Sequence, residues 1–223
     1  MISGWGNFKT YNSKKFNPKN LEELKKLFKN PKYQNFIGRG NGRSYGDSSL
    51  NTNIISLKNL KKNIKIDIKN KIVECSSNVI LKELNEKLLN KNLFLCVTPG
   101  TQYITIGGAV ASDIHGKNHH NDGSFSDHVL ECEILLANGK IKKCSKKKNS
   151  KLFYSTCGGM GLTGIILSAK FKVQNIKSNS IIESSIKTSS LKETMEIFNK
   201  KRNHKYIVAW LDMNAKYNHL GRG

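Results

Sequence analysis

The stretch Gly38-Arg39-Gly40-Asn41-Gly42-Arg43-Ser44-Tyr45-Gly46-Asp47 decides how the rest of the chain reads. Alternating glycines free the backbone for positive φ and let N–H groups crowd around an anion. The run follows Phe36-Ile37, an apolar pair that reads as a short strand. It does not close on Gly-Lys-Ser/Thr, so it is not a P-loop. The polar residues 47–53 that follow do not form an amphipathic helix, so it is not the fingerprint of a doubly wound nucleotide fold either. Two arginines among the glycines are more than a plain surface turn needs.

Working outward, Asn20 to Phe28 reads as a helix, with Leu21, Leu24, Leu27 and Phe28 on one face and Asn20 and Glu23 at its start. Ile54–Leu57, Ile64–Ile68 and Ile72–Ser76 read as strands, the last two joined by a turn at Asn70-Lys71. Asn78 is placed to cap a helix from Val79 to Leu89. Leu93–Val97 is a strand that stops at Pro99-Gly100. Val129–Ala137 and Lys140–Cys144 make a hairpin around Asn138-Gly139, a type I′ signal. A short helix at Ser150–Ser155 precedes a strand at Ile165–Val173. Beyond Ser178 the texture changes to a strand at Ile181–Ile186, a helix at Leu191–Lys201 and a strand at Tyr206–Asp212. The expected class is α+β with mixed sheets. Residues 1–177 form one domain, and 178–223 read as the incomplete beginning of another.

A second polar loop runs from Thr98 to His120. Gly107-Gly108 and the small residues after them suit close approach to a phosphate or a ring. Asp113, His115, Lys117, His119 and His120 then crowd together. His115 and His119, four apart, raise a metal pair, but Gly116 and Asn118 disfavour a regular helix and no Cys or Glu completes a ligand set. A polar site around a cofactor is the better reading, with structural histidines as the alternative and no metal expected. Gly159-Met160-Gly161-Leu162-Thr163-Gly164 matches G-x-G-x-x-G, yet it follows a short helix and precedes a strand, the reverse of the order NAD binding needs. Close approach to a different ligand and a bare turn both remain open there.

The chain's 38 Lys and Arg against 16 Asp and Glu give a net charge of +22. The lysines are spread through every segment and greatly outnumber the arginines that favour phosphate and base recognition, which argues against nucleic acid as a partner. No apolar run approaches the roughly 20 residues a membrane span requires. The opening Met1-Ile2-Ser3-Gly4-Trp5-Gly6 does not read as a secretory leader. Five cysteines at wide spacings, with no C-x-x-C, point away from a disulfide framework and toward a reducing, cytoplasmic setting.

Four segments, Gly38–Asp47, Ile104–His120, Gly123–Val129 and Gly158–Ile166, resemble the vanillyl-alcohol-oxidase/PCMH superfamily of FAD enzymes. The run Asp113-Ile114-His115-Gly116-Lys117-Asn118-His119-His120 resembles its decaprenylphosphoryl-ribose 2′-oxidase branch in particular. The likeness runs from Gly4-Trp5-Gly6 to the end. It implies a PCMH-type FAD domain of two α+β subdomains with the cofactor between them. The pyrophosphate would be wrapped by Gly38, Arg39, Gly40, Asn41, Gly42, Arg43, Ser44, Tyr45, Gly46, Asp47 and Ser48. Gly100, Thr105, Ile106, Gly107, Gly108, Ser112, Asp113, Ile114, His115 and Ile166 would line the rest.

Many relatives tether the flavin through a His or Cys in these loops. The matching positions of the first loop are Asn41, Gly42 and Arg43, so FAD is expected to be non-covalent. The implied reaction is oxidation of a sugar hydroxyl by hydride transfer to flavin N5, with Tyr45, His115 and Lys117 as catalytic candidates and the identity of the base open. An aldonolactone or alditol oxidase is the alternative, and an inactive flavin-binding fragment a further one. The implied partners are a small or lipid-linked sugar and a reductase completing an epimerisation, with at most peripheral contact at the inner membrane. Family members are much longer, so the chain reads as an N-terminal part, with activity on its own left open. The cations that matter are expected to be Arg39, Arg43 and Lys117.

Overall fold

A computed structural model describes residues 1–219 and 221–223. The chain opens with an antiparallel pair, β1 (Ile2–Ser3) and β2 (Thr10–Tyr11). Next come β3 (Lys14–Phe16), α1 (Leu21–Lys29), β4 (Phe36–Gly38) and β5 (Asn53–Ile55). The three strands lie in the order β3-β5-β4, all parallel. Parallel neighbours cannot be joined by a tight turn. Helix α1 makes one crossover; the Gly-rich loop and residues 48–52 make the other, from the end of β4 back to the start of β5. Asn20 starts α1 by accepting the Glu23 N–H at 2.8 Å. Leu24 is fully buried and packs with Ile55, Leu135 and Ile165.

The second layer holds β6 (Ile64–Asp67), β7 (Ile72–Ser76), α2 (Leu81–Leu89), β8 (Leu93–Leu95), α3 (Ile106–Ala111), α4 (His119–Asp122), α5 (Phe125–His128), β9 (Val129–Leu135), β10 (Ile141–Cys144), α6 (Ser150–Thr156) and β11 (Ile165–Asn175). Its sheet is antiparallel, in the order β10-β9-β11-β7-β6, with β8 also on β11. The long strand β11 is the hub. Ala169, Phe171 and Val173 alternate into the core, where Phe171 meets Phe125 at a ring distance of 5.3 Å. Leu81, Leu84 and Leu88 of α2 and Ala109 and Val110 of α3 complete the same core. This arrangement is α+β, as the sequence implies.

Several local readings are corrected. Asn78 does not cap α2; its amide donates to Leu57 O and Leu60 O and ties down the connection after β5. The first N–H groups of α2 instead find Ile104 O and Gln102 O, so backbone replaces a side-chain cap. The hairpin after β9 is not type I′. Gly139 has φ +75 while Asn138 is not in the positive-φ region, and Gly139 N–H bonds Leu136 O, the type I turn with a left-handed glycine that a longer loop permits.

Ile181–Ile186 and Tyr206–Asp212 are not strands, although α7 (Leu191–Lys200) forms as read. An extended segment becomes a strand only by pairing, and among the described residues neither finds a ladder. Ile182 and Trp210 stand in solvent. No helix among the described residues is long and apolar enough to cross a membrane.

The five cysteines are free thiols. Cys132 and Cys144 face each other across β9 and β10. Burial raises the thiols of Cys75 and Cys157 to about 12 and that of Cys144 to about 11, and pushes Cys132 up as well. The unfolded thiols would ionise near 9.0, so the folded state binds more protons above that value. The stability they contribute is complete below about pH 9 and is lost as pH rises toward 12. Iodoacetamide at pH 8 is expected to spare these four thiols in the folded chain and to label all of them in denaturant, read by mass spectrometry; rapid native labelling of Cys75 would contradict the packing.

Candidate functional site

A cleft of about 1020 Å³ lies where the two layers meet. Its first wall is the loop that parallel pairing sends over the carboxyl ends of β4 and β5. Gly42 and Gly46 sit at φ +64, and Gly40 passes so close to Thr105 that any side chain there would strike the threonine hydroxyl. Arg39 N–H bonds Ile55 O at 2.8 Å. From Gly40 to Ser48, among the described residues, no backbone N–H donates to a protein acceptor. Such a run of unspent donors costs free energy unless water or a ligand takes them. Successive free N–H groups on a glycine-bearing loop are the donor set that a pyrophosphate fits.

The second wall is the start of α3. Thr105 caps it by accepting Gly108 N–H at 3.1 Å. Gly107 N–H bonds Ser77 O at 2.9 Å, and a Cβ on Gly107 would stand 3.0 Å from Ser77 Cβ. The start of α3 and the end of β7 thus touch through backbone and small groups, which leaves depth for a flat or extended ligand. The third wall is Met160, Gly161 and Gly164 to Ile166. The G-x-G-x-x-G run is therefore a cleft edge between α6 and β11. Gly164, at φ +147, is held where a side chain would overlap Leu135 O.

Among the residues singled out from sequence, Gly38 to Tyr45, Ser48, Gly100, Thr105, Gly107, Gly108, Ser112, Ile114, His115 and Ile166 line the cleft. Gly46, Asp47, Ile106, Asp113 and Lys117 lie outside that lining, each for a readable reason. Ile106 is fully buried in the core. Asp47 opens the turn that Leu50 N–H closes on Asp47 O, and Gly46 leads into it at φ +64. The Asp113 carboxylate is spent on Ser124 Oγ, Ser126 N–H and Ser126 Oγ at 2.8–2.9 Å. Lys117 is exposed, and its carbonyl accepts Ile207 N–H.

The loop carrying His115 and Lys117 is pinned by Asn118, which the sequence marks only as unfavourable to a regular helix. Asn118 is 1% exposed and donates to Cys96 O at 2.7 Å and Asp122 Oδ2 at 2.6 Å. Its burial carries no periodic signal. Gly116 sits where a side chain would collide with Thr98 O. The rings of His115 and His119 lie 5.6 Å apart, and among the described residues no three His, Cys, Asp or Glu side chains converge on one point.

The expected cations divide. Arg39 donates to Ser3 O at 2.6 Å and Ser49 O at 3.5 Å, so it braces the loop from behind, and burial lowers its pKa. Arg43 faces the cleft. Lys58, just beyond β5, also lines it. Its position after a parallel strand was the signal for it, since ligands gather at the carboxyl ends of such strands. Trp5 and Tyr103 complete the mouth. Because the approach of Gly40 to Thr105 admits no side chain, Gly40→Val is expected to lower FAD affinity more than tenfold in a fluorescence titration while leaving the circular dichroism of the fold intact. Unchanged affinity would show that the cofactor does not rest on that contact.

A family model for the FAD binding domain matches residues 15–145. Over 191 residues the chain is 39% identical to decaprenylphosphoryl-beta-D-ribose oxidase of Mycolicibacterium smegmatis, covering 83% of this chain and 42% of that protein. It is 30% identical over 145 residues to cytokinin dehydrogenase 3 of Arabidopsis thaliana, covering 61% of this chain and 27% of that protein. To L-gulonolactone oxidase of Bos taurus it is 26% identical over 155 residues, covering 68% of this chain and 35% of that protein. The chain therefore spans well under half the length of these relatives. The cleft, its unspent N–H donors and the matched family model agree that the chain belongs to the FAD binding domain family and that its cofactor is FAD.

Proposed function

We propose that the chain is the cofactor-holding part of an FAD-dependent oxidoreductase that oxidises a hydroxyl of a lipid-linked sugar, of the decaprenylphosphoryl-ribose type. The observation that carries this reading is the 39% identity to decaprenylphosphoryl-beta-D-ribose oxidase over 191 residues, which spans most of the chain. Bound FAD supplies the hydride acceptor.

The loop from Gly40 to Ser48 would hold the pyrophosphate on its free N–H groups, and the Gly107 region would pack against the cofactor. In this reading His115, which lines the cleft, would hydrogen-bond the reacting hydroxyl, and Tyr45 would offer a second hydroxyl. Lys117, exposed next to that wall, would meet the substrate phosphate as a point charge. Among the described residues no cysteine lines the cleft, and the first loop carries neither His nor Cys, which supports FAD held without a covalent bond.

In the same reading, residues 178–223 begin a substrate-binding domain, and an amphiphilic substrate brings the protein to a membrane surface, where net charge +22 aids contact with anionic headgroups. A reductase that acts on the ketone product would complete an epimerisation. The match to L-gulonolactone oxidase keeps one alternative in view, oxidation of an aldonolactone.

The purified protein is expected to be yellow, and denaturation followed by filtration to pass the flavin into the filtrate; flavin retained with the polypeptide would end the non-covalent reading. Anaerobic addition of a polyprenylphosphoryl ribose should bleach the flavin absorbance of the protein, and aldonolactones should not. The reverse pattern would replace the proposed substrate class with the alternative.

A further inference from the structure

Three chain segments that are remote in sequence meet at Arg43. Its guanidinium carbon lies 4.6 Å from the centroid of the Trp5 ring and 5.7 Å from that of Tyr103. Both distances fall within the range at which a cation is drawn to an aromatic face. Asn41, two residues earlier, donates to Tyr103 O at 2.8 Å. The first loop is thereby joined to the second across the mouth of the cleft.

The N-terminal segment is joined as firmly. Trp5 N–H bonds Ser44 O at 2.8 Å, and Arg39 reaches Ser3 O. Gly4 sits where a Cβ would stand 2.7 Å from Ser44 O, and one on Gly6 would stand 3.2 Å from Tyr45 Cδ1. Glycines on either side of Trp5 let the backbone lie flat on the loop, which sets the indole over Arg43. These contacts have little to do with holding the fold together: Trp5 is 57% exposed and Tyr103 45%. They surround a cleft whose lining includes all three side chains.

We propose that Trp5, Arg43 and Tyr103 form a clasp that closes the cleft over bound FAD and sets how slowly the cofactor leaves. The proposal rests on FAD occupying this cleft. It gives Arg43 a role different from that of a phosphate-binding cation: its planar face is used, and its charge is shared between two rings. A lysine ammonium is a compact point charge that can sit over one ring but is too small to bridge two, so Arg43→Lys keeps the charge while opening the clasp.

The experiment is a chase of the FAD-loaded protein, in which release is followed by the rise of free-flavin fluorescence. Trp5→Ala, Arg43→Ala and Arg43→Lys are each expected to speed release roughly three- to thirty-fold, the range a stacked cation spans. Tyr103→Phe keeps the ring and should match the wild type. Gly4→Ala, which pushes the N-terminal segment off Ser44, should act like Trp5→Ala. The double variant Trp5→Ala/Arg43→Ala should release no faster than either single one, since members of one unit are not additive.

Wild-type release from Arg43→Lys beside fast release from Arg43→Ala would overturn the clasp in favour of a point charge on phosphate, and that reading would also make release strongly salt-dependent. Wild-type release from all the variants would overturn it outright. A wild-type protein that takes up no FAD at all would remove the occupied cleft on which the clasp depends, a result distinguishable from the others before any variant is made.

Discussion

Parallel pairing of β4 with β5 is the constraint on which the site depends. Phe36 stands opposite Asn53 and Gly38 opposite Ile55, so the chain leaving β4 must return the whole length of the strand before it can enter β5. The return path passes over the carboxyl ends of both strands. A helix there would spend its N–H groups on itself. The glycine-bearing loop keeps them free, and Thr105 approaches closely only because Gly40 has no side chain. Arg39, which lines the cleft and is bonded to Ser3 O and Ser49 O, fixes the curvature of the loop.

The second layer supplies the opposite wall through β11. This strand pairs with β7, β8 and β9 at once, so its start at Ile165 and Ile166 is held in place by the whole sheet. Ile165 also packs with Leu24 and Ile55 of the first layer. The two layers therefore share apolar contacts beneath the cleft while their polar and glycine-rich surfaces face across it. That division places a floor of core residues under a roof of backbone donors.

Much of this was legible in sequence because the signals were local. The leucine spacing of α1 and α2 and the alternation in β7 and β11 reflect burial of one face, which periodicity records directly. The glycine loops were legible because few other residues tolerate such backbone. What was missed depends on tertiary partners. Asn78 looks like a helix cap until Leu57 O and Leu60 O claim its amide. The partners of the Asp113 carboxylate, Ser124 and Ser126, come from eleven and thirteen residues away and leave no local mark. Ile181–Ile186 and Tyr206–Asp212 have the composition of strands, yet a strand is a relation between two segments, and composition reports only one of them. Trp5 enters the cleft from a place where no short-range pattern marks it.

Asp113 has φ +42, a left-handed conformation unusual for a residue with a side chain. Three hydrogen bonds from Ser124 and Ser126 hold it there, and His115 follows two residues later. The orientation of a cleft-wall histidine is thus written partly in two serines at the head of α5 that never meet the ligand. The Ser126 N–H would survive a change of that side chain, so the two serine hydroxyls are the part of this support that substitution can remove, and the cleft wall can be reshaped from outside the cleft.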